Sequence, residues 1–229
     1  MDASPSPTVQ SATATHAAPP PPAQTPTPPH HAPPTGLHFV VVFGSMRRDR
    51  IGIRLVRFLA RQIEARGNAC TILDAMEENL PLLDRMYKEY ARGTAPAQME
   101  RIAETLRRAD AFVVVGGEYN HSIQPGLSNL VDHFLEEWFW RPAGVATYSA
   151  GSWGGTRAGV QLRSLLGEIG TAVVSGEVAV PRCQDAFEED GSPKGHPGEW
   201  ERRVGRFLSE VEWYARAMKA ERAKGPTPY

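Results

Sequence analysis

Leu37-His38-Phe39-Val40-Val41-Val42-Phe43 runs directly into Gly44-Ser45-Met46-Arg47-Arg48-Asp49-Arg50-Ile51-Gly52. The first seven residues are a short apolar run rich in β-branched and aromatic side chains, the pattern of a strand buried on both faces. A Gly-Ser turn follows, then arginines, then apolar residues at helical spacing. Backbone N–H groups at such a strand-to-helix junction point outward and the helix dipole favours an anion. Hydroxyl and guanidinium donors beside them complete a site for a phosphate monoester. No Gly-Lys-Ser/Thr closes the loop, so it is not a nucleoside-triphosphate loop, and it lacks the three-glycine dinucleotide fingerprint.

Strand and helix patterns alternate from this point on. Ile51 to Arg66 carries Ile51, Leu55, Phe58, Leu59 and Ile63 on one helical face, and Gly67 ends it. Ala69-Cys70-Thr71-Ile72-Leu73-Asp74 predicts a second strand, and Glu77 to Pro96 a charged surface excursion. A helix over Gln98 to Arg108 leads into the continuous apolar run Ala111-Phe112-Val113-Val114-Val115-Gly116. Gln124-Pro125 opens another helix, Pro125 being suited to a first turn. Gly144-Val145-Ala146-Thr147-Tyr148-Ser149 is the fourth strand, Gly155 to Ile169 a helix, and Thr171-Ala172-Val173-Val174 begins the fifth strand. Trp200 to Ala220 is a closing amphipathic helix. Five strands with intervening helices predict a doubly wound three-layer α/β/α sandwich with a parallel sheet, whose ligands sit beyond the carboxyl ends of the strands.

The 229 residues suit one domain with an appendage. Residues 1–36 hold eleven of the 20 prolines and neither Lys nor Arg, which predicts a disordered, partly polyproline tail rather than a targeting sequence. Residues 37–222 are the expected domain and 223–229 a disordered end. A formal net charge of -1 points to neither nucleic acid nor a membrane surface, and no stretch is long and apolar enough to span a bilayer. Cys70 and Cys183, alone in a chain of this length, predict reduced thiols and a cytoplasmic protein without a metal cluster.

Two further strand-end loops should converge on the first. Gly116-Gly117-Glu118-Tyr119-Asn120-His121-Ser122-Ile123 follows the third strand, and Ser149-Ala150-Gly151-Ser152-Trp153-Gly154-Gly155-Thr156-Arg157 the fourth. Small residues, side-chain donors and one aromatic in each suit a flat heteroaromatic ring lying on backbone. One monophosphate site plus a flat ring suggests FMN.

Gly44-Ser45-x-Arg47-x-x-Arg50-x-Gly52, Glu118-Tyr119-Asn120-His121-Ser122 and Gly154-Gly155-x-Arg157-Ala158 resemble the motifs of the NADPH-dependent FMN reductase family. The segments Phe187-Glu188-Glu189-Asp190-Gly191 and Trp213-Tyr214-Ala215 are similar to its closing region. The resemblance implies a flavodoxin-like sheet of order 2-1-3-4-5 and assembly as dimers or tetramers. It implies that Ser45, Arg47 and the first helical turn near Arg50 and Ile51 hold the FMN phosphate. Glu118, Tyr119, Asn120 and His121 would line the isoalloxazine through main-chain N–H groups, with Ser149, Gly151, Gly154, Gly155 and Arg157 near its pyrimidine edge. NADPH would be the reductant, with Arg50 and Arg85 as candidates to meet a 2′-phosphate. Hydride transfer at the FMN N5 would need no catalytic side chain, and the second acceptor would be a free flavin, quinone, azo compound or metal oxyanion. Gly117 departs from the family's usual Pro and loosens its loop.

Alternatives stand beside several of these readings. Arg50 is a phosphate ligand or a solvated charge; Tyr119 and His121 meet the ring or pack structurally. Trp138-Phe139-Trp140 is read as a subunit contact ahead of core packing. A flavodoxin-type electron carrier and a flavin-binding regulatory module are the competing functions.

Overall fold

Every apolar run becomes a strand of one sheet. The computed structural model describes residues 1, 36–196 and 198–229, so the proline-rich tail expected over 1–36 lies outside the described residues but for its ends. The strands are β1 (His38–Phe43), β2 (Ala69–Asp74), β3 (Ala111–Gly117), β4 (Pro142–Tyr148) and β5 (Ala172–Val180). All pair in parallel, in the order β2-β1-β3-β4-β5, the flavodoxin-like arrangement. The helices are α1 (Gly52–Ala65), α2 (Ala75–Glu78), α3 (Ala97–Arg108), α4 (Pro125–Asp132), α5 (Thr156–Glu168), α6 (Cys183–Ala186) and α7 (Glu199–Arg222). Among the described residues no helix is long and apolar enough to cross a membrane.

Alternating strand residues feed two cores. Phe39, Val41, Phe43, Val113 and Val115 face α1 and α7, whereas Val40, Val42, Phe112 and Val114 face α3, α4 and α5. β3 is buried at every position because helices cover both its faces. β2, at the sheet edge, leaves Ala69 and Ile72 exposed.

The outer arginines of α1 strap a distant segment onto it. Arg54 donates to the carbonyls of Gln184 (3.3 Å) and Phe187 (3.0 Å), Arg57 to Glu189 O and Arg61 to Asp190 O, both at 2.5 Å. At the far end of the helix Arg66 forks onto the buried Glu212 carboxylate of α7 at 2.7 and 2.6 Å, and Asn68 donates to it at 2.9 Å.

β5, expected to begin at Thr171-Ala172-Val173-Val174, continues to Val180 through a bulge where its register with β4 jumps from Ala143↔Val173 to Val145↔Glu177. The bulge is closed by Glu210 of α7, whose carboxylate accepts from Ser175 N (3.0 Å), Ser175 Oγ (2.6 Å) and Gly176 N (2.9 Å). The Ser175 hydroxyl and these amides hold the Glu210 carboxyl below the ordinary carboxylate range. A carboxyl lowered by folding stabilises above its unfolded pKa, and that stabilisation is lost as pH falls through the folded value. The urea midpoint of Glu210→Gln should therefore lie below wild type at neutral pH, and the gap should close on acidification below pH ~4. A gap that stays constant with pH would remove the carboxylate from this role.

Trp138 corrects the subunit-contact reading of Trp138-Phe139-Trp140. Its indole is fully buried, edge-on to Phe112 at 4.7 Å, with Nε1 donating to Val131 O at 3.3 Å. Residues 223–229, expected as a disordered end, place Tyr229 against Phe139 (5.3 Å) and Trp140 (4.8 Å).

Candidate functional site

The carboxyl ends of β1, β3 and β4 meet at a cleft of about 300 Å³. The loop after β1 lines it with Ser45, Arg47, Asp49, Arg50 and Ile51, and the loop after β3 with Gly117, Glu118, Tyr119 and Asn120. Gln124, Tyr148, Ser149 and Ala150 complete the wall.

The first loop is a bed of donors. Backbone N–H groups of residues 45–52 donate to no backbone carbonyl among the described residues. α1 has no side-chain cap and no acidic residue in its first turn. The positive end of the dipole therefore faces the cleft unneutralised, the condition for holding an anion. Gly44 acts sterically: a Cβ there would fall 2.1 Å from Leu127 Cβ, so its bareness lets β1 end against α4.

The three arginines of this loop divide. Arg47 lines the cleft, and Arg48 does not. Arg50 also borders it, but its guanidinium donates to Asp74 Oδ1 at 2.5 Å and pairs with Glu77 Oε1 at 3.3 Å, lying over the Phe43 ring. Its charge is spent on the end of β2, and Nη1 also reaches Ser45 O at 3.3 Å, so Arg50 braces the loop. Arg85, the other candidate for a 2′-phosphate, lies over Tyr90 at 4.1 Å and does not line the cleft.

The second loop is a tight turn in which Tyr119 and Ser122 exchange backbone hydrogen bonds of 2.9 and 2.8 Å. Asn120 and His121 sit at φ +51° and +65°, the left-handed pair of a type I′ turn, where Asn is tolerated best. Gln161 of α5 ties the turn down, accepting from Ser122 Oγ (2.7 Å) and donating to His121 O (2.8 Å). His121 and Ser122 consequently lie outside the cleft wall that Tyr119 and Asn120 form. The Glu118 carboxylate accepts from Arg157 N (3.2 Å) and Arg157 Nη1 (3.1 Å), latching the loop to the first turn of α5. Arg157 is thus paired outside the wall, its guanidinium over the exposed Trp153 at 4.8 Å.

In the third loop Ser149 Oγ accepts from Gly154 N (2.9 Å) and donates to Gly151 O (2.8 Å). Gly154 and Gly155 have φ of +64° and +79°, and a Cβ on Gly155 would approach Tyr148 O to 2.8 Å. These glycines shape the loop, and Gly151 with them stands outside the wall. Gly52 opens α1 against the Tyr148 ring, where a Cβ would fall 2.2 Å from it.

Five wall residues lie outside the set expected from the sequence, namely Asp49, Gly117, Ala150, Gln124 and Tyr148. The first three fall within the expected loops, whereas from the sequence Gln124 reads only as the start of a helix and Tyr148 only as a strand end. Burial pushes its phenol up to about 12, so it stays protonated near neutral pH. No cysteine lines the cleft, and its acidic wall residues are Asp49 and Glu118, the latter paired with Arg157. Cys183 lies beneath Ile51 O at 3.6 Å, its thiol likewise raised to about 12 by burial. Among the described residues no group of three or more His, Cys, Asp or Glu could hold a metal ion. The arrangement offers hydrogen-bond donors to an anion at one end and a small-residue, peptide-lined slot at the other.

A family model described as NADPH-dependent FMN reductase matches residues 37–185. A quinone reductase of Escherichia coli is 30% identical over 134 residues, covering 57% of this chain and 69% of its own length. An NAD(P)H-dependent FMN reductase of Pseudomonas aeruginosa is 34% identical over 113 residues, 46% of this chain and 60% of that protein. Among solved structures, the flavoenzyme NAD(P)H:(acceptor) oxidoreductase FerB of Paracoccus denitrificans superposes with a TM-score of 0.64 at 23% identity, covering 79% of this chain and 98% of that one.

Proposed function

Because this chain belongs to the NADPH-dependent FMN reductase family, we propose that it binds FMN in the cleft beyond β1, β3 and β4 and oxidises NADPH at the expense of a small-molecule acceptor such as a quinone, a free flavin, an azo compound or a metal oxyanion. The observation that carries this reading is the run of unpartnered N–H groups over residues 45–52 at the uncapped start of α1, with Arg47 beside it. A dianionic monoester suits that bed.

FMN, when bound, supplies the two-electron chemistry between nicotinamide and acceptor. The chain's own residues bind and orient. Ser45, Arg47 and Ile51 hold the phosphate, and Arg50 keeps their loop in shape through Asp74. The main chain of Gly117 to Asn120 and of Ser149 and Ala150 borders the flat portion, stiffened by the Glu118–Arg157 latch. Orientation of this kind is where such a site gains rate, since no acid, base or nucleophile is required of it.

The test is the visible spectrum of the purified protein reconstituted with FMN, followed by anaerobic NADPH. Retained yellow colour that bleaches on NADPH and returns with a quinone is expected. Protein that passes through desalting colourless, or colour that NADPH leaves untouched, defeats the proposal.

A further inference from the structure

We propose that Tyr148 is a ligand-positioning residue whose hydroxyl, oriented by Gln124 and Gly117, donates a hydrogen bond to the phosphate end of the bound mononucleotide. This rests on the FMN reading above and adds to it a residue outside the three family motifs.

The direction of the proton follows from a chain of partners. Gly117 N donates to Gln124 Oε1 at 2.8 Å, which fixes the amide so that its Nε2 faces the phenol. Gln124 Nε2 then donates to Tyr148 Oη at 3.2 Å, so the phenol oxygen must accept from that side. The phenol's own proton meets no protein acceptor within hydrogen-bond distance among the described residues, and Tyr148 lines the cleft, which leaves the cleft as that proton's outlet.

Position says which part of a ligand this proton meets. A Cβ on Gly52 would fall 2.6 Å from the phenol oxygen, so the hydroxyl abuts the first residue of α1, beside the unpartnered amides. An atom served by those amides and by this hydroxyl receives only donors, which suits a phosphate oxygen. Burial, by keeping the phenol protonated to about 12, preserves the donor over the working pH range. The triad is also specific to the residues present. A proline at 117 would have no N–H to hold Gln124, and a Cβ there would fall 2.9 Å from Gln124 Nε2 and 3.0 Å from the Tyr148 ring.

The experiment is a fluorescence titration of the full chain with FMN and, separately, with riboflavin, which lacks the phosphate. Tyr148→Phe should weaken FMN about tenfold or more and leave riboflavin unchanged. Gln124→Leu, which releases the phenol's orientation, should give a smaller loss with the same selectivity for FMN. Ligand-free melting curves establish that both variants fold. Unchanged FMN affinity in Tyr148→Phe, or equal losses for the two flavins, overturns the assignment while sparing the FMN reading. A wild type that binds neither flavin overturns both, and that failure is visible before any variant is made.

Discussion

Replacing Arg47 with Ala is expected to weaken FMN binding by ten- to a hundredfold and to leave riboflavin binding nearly unchanged. The size follows from losing a charge-assisted hydrogen bond to a phosphate, worth about 1.5–3 kcal/mol. The attribution follows from where the neighbouring charges go. Arg50 is engaged with Asp74 and Glu77, and Arg48 stands off the cleft, so of the loop's three guanidiniums Arg47 is the one on the wall without an acidic partner among the described residues. Arg48→Ala is the matched control and should do little. Raising ionic strength should weaken wild type more than Arg47→Ala, because the lost term is the screened one. If titration shows Arg47→Ala and Arg48→Ala alike, the anion is held by backbone alone.

Trp138→Ala should destabilise the fold by about 3–5 kcal/mol, the usual cost of emptying a buried aromatic site. The indole fills the second core beside Phe112 and uses its N–H on Val131 O, so the truncation leaves a cavity and removes that hydrogen bond. Urea denaturation measures the loss. A variant of unchanged stability whose elution volume shifts would instead restore the reading of this tryptophan as a subunit contact.

That tryptophan shows why some of the fold was legible and some was not. Continuous runs such as Val40-Val41-Val42 and Phe112-Val113-Val114-Val115 declare a strand covered on both faces, and β1 and β3 carry that signal in full. An aromatic cluster carries no such direction. Burial of Trp138 depends on Phe112, contributed by a strand far back in the chain. The start of β5 is legible, but its course past Val174 is not, because the Glu210 carboxylate that closes the bulge is supplied 35 residues later.

The candidate site divides along the same line. Its loops were legible because strand-end turns rich in Gly, Ser and Asn have a local cause. Roles set by distant partners were not. Arg50 borders the cleft with its charge already paired, because Asp74 and Glu77, 24 and 27 residues away, take it. Glu118, expected to matter through its backbone, uses its carboxylate to grip Arg157. Gln124 and Tyr148 escaped notice because each fitted a helix start or a strand end well enough on local pattern.

The arginine straps of α1 bear on the order of assembly during synthesis. The helix that offers its bare end to an anion is among the first elements to leave the ribosome, yet its outer face is fastened to carbonyls 129 to 133 residues later and its tail to Glu212, 146 residues beyond Arg66. Closing loops of that span delays the contacts that seat it. A truncation before Glu212 should therefore leave α1 poorly seated although every residue of the cleft wall is present, and should weaken the FMN binding proposed above.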